Sequence, residues 1–402
     1  MYNPKNKTPK TEIESRIKKI QAYLIKKNID AGLILQNTDL YYFAGTIQQA
    51  HLYIPAYGDP ILMVKRNFKR AVFESGVEKI VSFSSLKDFF SILSKEGYPK
   101  PKTIGMELDV ITAGMYLNYK KFFDKIKIMD ISHYIRLIRS VKSEYEIAII
   151  KKACELSDKS VSYATGLLKE GISEIEFSAE MELYMRQLGH QGIVRMRLWG
   201  NEMFYGHILS GASGGVPTYL ASPTGGEGLN PAVAQGASFK NIVKNEPIVV
   251  DYVFAYKGYL ADQTRILSIG KLPDKLIKAH NAMLEIEALI KKEAKPGVIA
   301  DYIYNIALQK AEELGFKNNF MGADSNSVTF VGHGIGLELD EYPFLAKGQK
   351  MPLEKNMIIA IEPKAVFENI GAVGIENTCI VAKQGLESLN NSDKNIFNLQ
   401  KP

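Results

Sequence analysis

The chain has 402 residues, 46% of them apolar and 23% charged, the balance of a globular protein long enough for two domains. Fifty basic and 44 acidic residues are interspersed and leave a formal charge of only +6, so no nucleic-acid partner is expected. There is no signal-peptide pattern and no apolar run long enough for a membrane span, and Cys154 and Cys379 lie far apart without CxxC spacing. The expectation is a cytoplasmic enzyme or binding protein with neither a disulfide framework nor a zinc-thiolate site.

The lysines Lys5, Lys7 and Lys10 read as a short basic tail. Ile13, Ile17, Ile20 and Leu24 then recur at helical spacing with lysines opposite, predicting a surface helix over 11–28. Short apolar runs follow at Ala31 to Leu35, Ile61 to Val64, Ile80-Val81, Thr103 to Gly105 and Lys127 to Met129. Helix-like stretches at Leu86 to Leu93 and Thr112 to Phe123 alternate with them, which predicts an α/β layer domain. Tyr41-Tyr42-Phe43-Ala44-Gly45 reads as core aromatics entering a tight turn. No glycine-rich phosphate fingerprint follows any of these strands.

Near Ser140 the alternation gives way to longer helices, and the domain boundary is placed there, between 1–140 and 141–402. Helices are predicted from Glu144 to Leu168, from the capping box Ser173-x-x-Glu176 to Leu188, from Asp274 to Ala294 and from Ile299 to Leu314. Strands are predicted at Pro247 to Tyr256, Tyr259 to Ile269, Val328 to Val331, Met357 to Ile361 and Ile375 to Val381. The stretch from Trp199 to Phe239 is glycine-rich and loop-like, the kind of long loop that lines or covers a site.

The chemistry concentrates in the last third. Asp251 and Asp262 flank Lys257-Gly258, so they read as facing acids on a β-hairpin, with Cβ atoms about 5 Å apart. Glu362 and Glu376 repeat the arrangement around a turn at Asn369 to Gly371. Like charges that close are unfavourable without a cation between them, and buried acids are rare unless paired or metal-bound. His333, in Gly332-His333-Gly334-Ile335-Gly336, adds one imidazole in a loop whose glycines would let the backbone approach the ions. Four carboxylates and one imidazole suit two divalent ions (Mn first, with Co, Fe or Zn as alternatives) about 3.5–4 Å apart, able to activate a bridging water and polarise a carbonyl.

The order Asp251, Asp262, His333 in GHGIG, Glu362-Pro363 and Glu376-Asn377-Thr378 resembles the M24 metallopeptidases, the group of methionine aminopeptidase, aminopeptidase P, prolidase and creatinase. Tyr259-x-x-Asp262-x-Thr264-Arg265 matches as well, and Arg139 to Ile147 (RSVKSEYEI) is similar to the segment opening this domain in the creatinase and prolidase branch. The resemblance implies a creatinase-like N-terminal α/β domain followed by an α+β pita-bread catalytic domain, a homodimer, and small peptides as substrates. By its roles Asp251 would hold one metal, Asp262 and Glu376 would bridge, and His333 with Glu362 would hold the other. Glu362 would also be the general base.

Three histidines expected of peptidases in this family are absent, their positions being held by Thr218, Thr329 and Asp340. His207 could enter the pocket from another backbone position, or it is a hydrogen-bonded strand histidine. Asp340 could handle a proton or bind a cationic group, and Arg195 and Arg197 before Trp199 could clamp a carboxylate. The readings in competition are therefore a dinuclear Xaa-Pro peptidase, a metal-dependent hydrolase or lyase of a small non-peptide substrate, and a non-catalytic binding protein on this fold.

Overall fold

Residues 7–323 and 326–399 are described by a computed structural model, in which the chain divides into two compact units, Met1–Arg139 and Ser140–Pro402. Of the lysines read as a tail, Lys5 lies outside the described residues. Lys7 sits over the Phe73 ring, 3.9 Å from its centroid, and Lys10 opens the first helix, Lys10–Lys26. That helix buries Ile13, Ile17, Ile20 and Leu24, as their spacing requires. Enclosing one such side chain is worth roughly 1.5–3 kcal/mol.

The first unit is built on one mixed sheet. Its strands are β1 (Ala31–Ile34), β2 (Ala50–Pro55), β3 (Ile61–Val64), β4 (Lys79–Ser82), β5 (Thr103–Met106) and β6 (Lys127–Asp130). Their spatial order is β4-β3-β2-β1-β5-β6, with β2 antiparallel to both neighbours and the other pairs parallel. Strand β2 escapes the sequence reading, because Ala50-His51-Leu52-Tyr53 follows no glycine or proline boundary. The aromatic run 41–43 belongs to a helix, Asn37–Ala44, and Gly45 ends it in the left-handed conformation at φ 77° rather than forming a separate turn.

The second unit carries a larger sheet. Its strands are β7 (Gly206–Ser210), β8 (Ile248–Tyr256), β9 (Tyr259–Ile269), β10 (Phe330–Gly334), β11 (Glu341–Ala346), β12 (Ile358–Ile361), β15 (Glu376–Ala382), β16 (Gly385–Ser388) and β17 (Phe397–Leu399). Between β12 and β15 the chain forms a separate pair, β13 (Lys364–Phe367) and β14 (Gly371–Gly374). The main path runs β11-β10-β12-β15-β9-β8-β7. Strand alternation sends Val249 and Ile266 to one face, against helices Asp274–Glu293 and Ala300–Glu313. Ile248, Val250 and Leu267 go to the other face, against helices Glu144–Leu167 and Glu174–Gln187. Capping boxes at Ser143/Glu146 and Ser173/Glu176 start the latter two helices. Among the described residues no helix is long and apolar enough to cross a membrane.

Candidate metal centre

The hairpin of β8 and β9 turns on Lys257 (φ 48°) and Gly258 (φ 90°), a two-residue left-handed turn matched to the strand twist. Its register pairs Tyr256 with Tyr259, Val253 with Asp262 and Asp251 with Thr264. Asp251 and Asp262 are therefore diagonal neighbours on one face, not direct partners, because the turn lies one residue later than their midpoint implies. The second acid pair does face across its strands. Ile361 pairs with Asn377 and Lys364 with Gly374, which places Glu362 opposite Glu376 where β12 gives way to β13.

His333 lies on β10, paired with Ala360 of β12 and Phe344 of β11, and not in a loop. Its glycine neighbours serve the sheet rather than an ion. A Cβ at Gly332 would lie 2.5 Å from the Ala360 carbonyl oxygen, and one at Gly334 would lie 2.1 Å from that of Tyr342. The ring Nδ1 lies 2.9 Å from the Leu339 carbonyl and 3.1 Å from that of Gly334. Those acceptors fix the proton on Nδ1 and leave Nε2 as a lone pair, 3.7 Å from Glu362 Oε1 and 3.9 Å from Asp262 Oδ2.

Asp251, Asp262, His333, Glu362 and Glu376 all line one cleft, and ligand atoms of Asp262, His333 and Glu376 lie within 4.8 Å of one another. Asp262 Oδ1 is buried and has no hydrogen-bond partner among the described residues. Burial, then the charges of Glu376 and Asp251, raise the Asp262 carboxyl well above the carboxylate range. Burial likewise pushes Glu376 up to about 7, although Lys364 opposes the shift. An orphaned carboxylate oxygen, crowded acids and an imidazole lone pair aimed among them fit a divalent cation.

The surroundings hold these side chains in place. Thr264 Oγ1 donates to Glu376 Oε2 at 2.8 Å, and Thr378 Oγ1 both accepts from the Asp262 N–H and donates to its carbonyl. Buried Arg265 donates to the carbonyls of Glu376, Thr264, Asp393 and Ser392 and to Asn377 Oδ1. Asn377 in turn donates to Glu287, which Lys394 neutralises.

Of the other residues singled out in the sequence, His207 enters the cleft from β7, directly opposite Asp251. Its Nε2 is buried without a partner among the described residues, and burial lowers its pKa, so the ring is neutral at pH 7. Asp340 stands at the rim, 3.7 Å from His333 Nδ1. Thr218 donates to the Ala234 carbonyl and lines a different cavity, and Thr329 does not line the cleft, where its neighbour Phe330 does. Arg197 is buried 3.5 Å from Glu338, whereas Trp199 is 98% exposed. The long loop contributes Asn201, Met203 and Leu220 to Ser222 as a wall.

The residue that sequence reasoning missed is Lys364. Its ammonium lies 2.8 Å from Glu376 Oε2, 3.0 Å from Glu362 Oε2 and 3.2 Å from Asp251 Oδ2. Burial acts against its charge, but those three carboxylates hold its pKa well above the ordinary lysine value. The available signal was alternation: on an extended strand a residue two after Glu362 shares its face.

A mixed-sheet unit followed by a larger sheet with helices on both faces, and four acids and one histidine lining one cleft, is the arrangement of a metallohydrolase. The comparisons place it more narrowly. The family model for Metallopeptidase family M24 matches residues 148–383, and that for the creatinase/prolidase N-terminal domain matches 16–141. The chain belongs to metallopeptidase family M24, in its creatinase- and prolidase-like branch, and its second unit has the pita-bread fold. It is 28% identical over 387 residues to the Xaa-Pro dipeptidase of Pyrococcus horikoshii, covering 96% of this chain and 99% of that one. It is 26% identical to the Xaa-Pro dipeptidase of Pyrococcus furiosus, covering 96% and 100%. The solved prolidase from Pyrococcus horikoshii OT3 superposes with a TM-score of 0.79 at 28% identity over 94% of this chain and 99% of that one. The X-Pro aminopeptidase from Thermotoga maritima superposes with the same score at 25% identity, over 95% and 99%. The protein is thus a metal-dependent peptidase.

One consequence is a pH-dependent response to metal. Folding without an ion lifts Glu376 from its ordinary 4.5 to about 7, so between those values the folded chain binds more protons than the unfolded one and loses stability as pH rises. His333, whose pKa is also raised, acts in the same direction. An ion displaces those protons, so its apparent affinity increases with pH. The melting-temperature gain on adding Mn²⁺ is expected to be larger at pH 8 than at pH 5, read by thermal unfolding; at a hundredfold excess over Kd it corresponds to about 2.7 kcal/mol. An equal gain at both pH values would contradict this linkage.

Proposed function

We propose that this metallopeptidase cleaves short peptides at Xaa-Pro bonds, as a dipeptidase or an N-terminal aminopeptidase. The observation that carries the reading is the convergence of Asp251, Asp262, His333, Glu362 and Glu376 on one cleft, in a chain similar end to end to Xaa-Pro dipeptidases. These residues are the proposed metal ligands, with Mn the first choice of ion on the chemistry of an oxygen-rich set with one imidazole, and Co, Fe or Zn as alternatives. When bound, a divalent ion supplies a Lewis acid that polarises the scissile carbonyl and makes water a better nucleophile at neutral pH.

The chain's own residues do the rest. Glu362 Oε1, on the His333 side, accepts the proton of the attacking water. His207 Nε2, buried and unpartnered, is placed to hydrogen-bond the substrate or pass a proton to the departing amine. Asp340, whose carboxylate lies 3.7 Å from His333 Nδ1, lines the same cleft and is placed to meet a substrate amine. Leu220 to Ser222 of the long loop line the cleft and are placed to contact the substrate. A homodimer in the cytoplasm completes the proposal.

A second reading, a small non-peptide amide substrate, is favoured by Thr218 and Thr329 standing away from the cleft where the family's peptidases carry histidine. A panel of Xaa-Pro dipeptides, Xaa-Pro tripeptides and small amides, assayed with Mn, Co, Fe and Zn, separates the two. Hydrolysis confined to the amides would overturn the Xaa-Pro proposal.

A further inference from the structure

We infer that the Lys364 ammonium takes the place of one of two metal cations, so that Asp251 holds the lysine rather than an ion and the centre holds a single divalent ion at Asp262, His333 and Glu376. The inference rests on the metallopeptidase reading above. It begins with the contacts of that ammonium. The ammonium donates to Glu362 Oε2 and Glu376 Oε2, and it forms an ion pair with Asp251 Oδ2 at 3.2 Å. Lys364 is 2% exposed, so its charge is enclosed by these carboxylates rather than by water.

The carboxylates divide their oxygens accordingly. Glu362 gives Oε2 to the lysine and turns Oε1 toward His333 Nε2. Glu376 Oε2 already accepts from both Lys364 and Thr264, which leaves Oε1 for an ion. Asp251 Oδ2 faces the lysine and accepts from Thr224 Oγ1 at 3.4 Å. Among the described residues Asp262 Oδ1 has no partner, and the cluster able to hold an ion is Asp262, His333 and Glu376, with neither Asp251 nor Glu362 in it.

The two halves of the centre are thus unequal. One is filled by a fixed +1 charge at hydrogen-bond length, and the other presents free ligand atoms. A second ion would need oxygens at about 2.0–2.2 Å from the same carboxylates that hold the ammonium, and it would sit beside a buried like charge. A single 2+ ion with Lys364 gives +3 against the four acids, where two ions give +4. The lysine thereby trades a second Lewis acid for a fixed hydrogen-bonding cation.

The test uses the full-length chain, stripped with chelator and titrated with Mn²⁺. Bound metal is measured by elemental analysis and calorimetry, and Mn²⁺ environment by electron paramagnetic resonance. The native protein is expected to bind one equivalent with the spectrum of an isolated Mn²⁺. Lys364→Gly and Lys364→Ala are expected to bind two, with the broadened spectrum of an exchange-coupled pair. Two tight equivalents in the native protein would overturn the inference while leaving the metallopeptidase reading intact. No bound metal and no hydrolysis would overturn both. Variants that fold and stay at one equivalent would also overturn it, and if neither variant folds the native count alone decides.

Discussion

Replacing Glu362 by glutamine is expected to lower turnover of an Xaa-Pro dipeptide by on the order of 10²–10⁴-fold, the usual contribution of a positioned general base. Glutamine has the same shape but cannot accept a proton at pH 7, and its single amide oxygen can face either His333 Nε2 or the Lys364 ammonium, not both. The remaining ligand cluster, Asp262, His333 and Glu376, still offers a cation its site. The loss is therefore expected in kcat, with bound metal retained. Steady-state kinetics run beside elemental analysis check both. Turnover within tenfold of the native protein would remove Glu362 from the role of base, and loss of the metal together with activity would make it chiefly a ligand.

Arg265→Leu is expected to cost about 3–5 kcal/mol of stability, the range for breaking a buried, fully engaged charged group. The Arg265 guanidinium donates to four backbone carbonyls and one side-chain amide, and burial lowers its pKa only to about 10, so it is charged at pH 7. Leucine would leave those acceptors dry and unsatisfied. One of them is the carbonyl of Glu376 itself, so the same change is expected to weaken Mn²⁺ binding by about 10–100-fold through loss of ligand positioning. Arg265→Lys restores the charge but offers three donors in place of five, and it should rescue only part of either effect. Urea unfolding of the full chain and calorimetric metal titration read the two consequences separately. A stability loss under about 1 kcal/mol with unchanged metal affinity would mean that Arg265 does not hold the site together.

Legibility in the sequence followed the range of each interaction. The helix Lys10–Lys26 and the helices of the second unit were visible because apolar spacing and capping boxes are local signals. The Glu362/Glu376 pairing was visible because a hairpin's register is set by its own turn, here with Asn369 at φ 57°. The same reasoning misplaced Asp251 against Asp262, since a shift of one residue in the turn moves the register by two. Strand β2 and the placement of His333 on a strand were not legible, because pairing with β1 or β12 is decided by partners remote in sequence.

The sequence by itself determined the inventory: two units, and four acids with one histidine whose order resembles that of the family, a resemblance that also marks three positions as lacking an expected histidine. Residue types, spacing and that resemblance need no partner to be read. Only the tertiary structure decided how that inventory is used. It set His207 beside Asp251 across β7 and β8, kept Thr218 out of the cleft, and turned Lys364 inward among three carboxylates. Alternation fixes which face a side chain takes, but long-range packing fixes whether that face is solvent or a closed, acid-lined centre. A lysine that would be an ordinary surface charge on an open strand is held here as a buried cation because three carboxylates surround it.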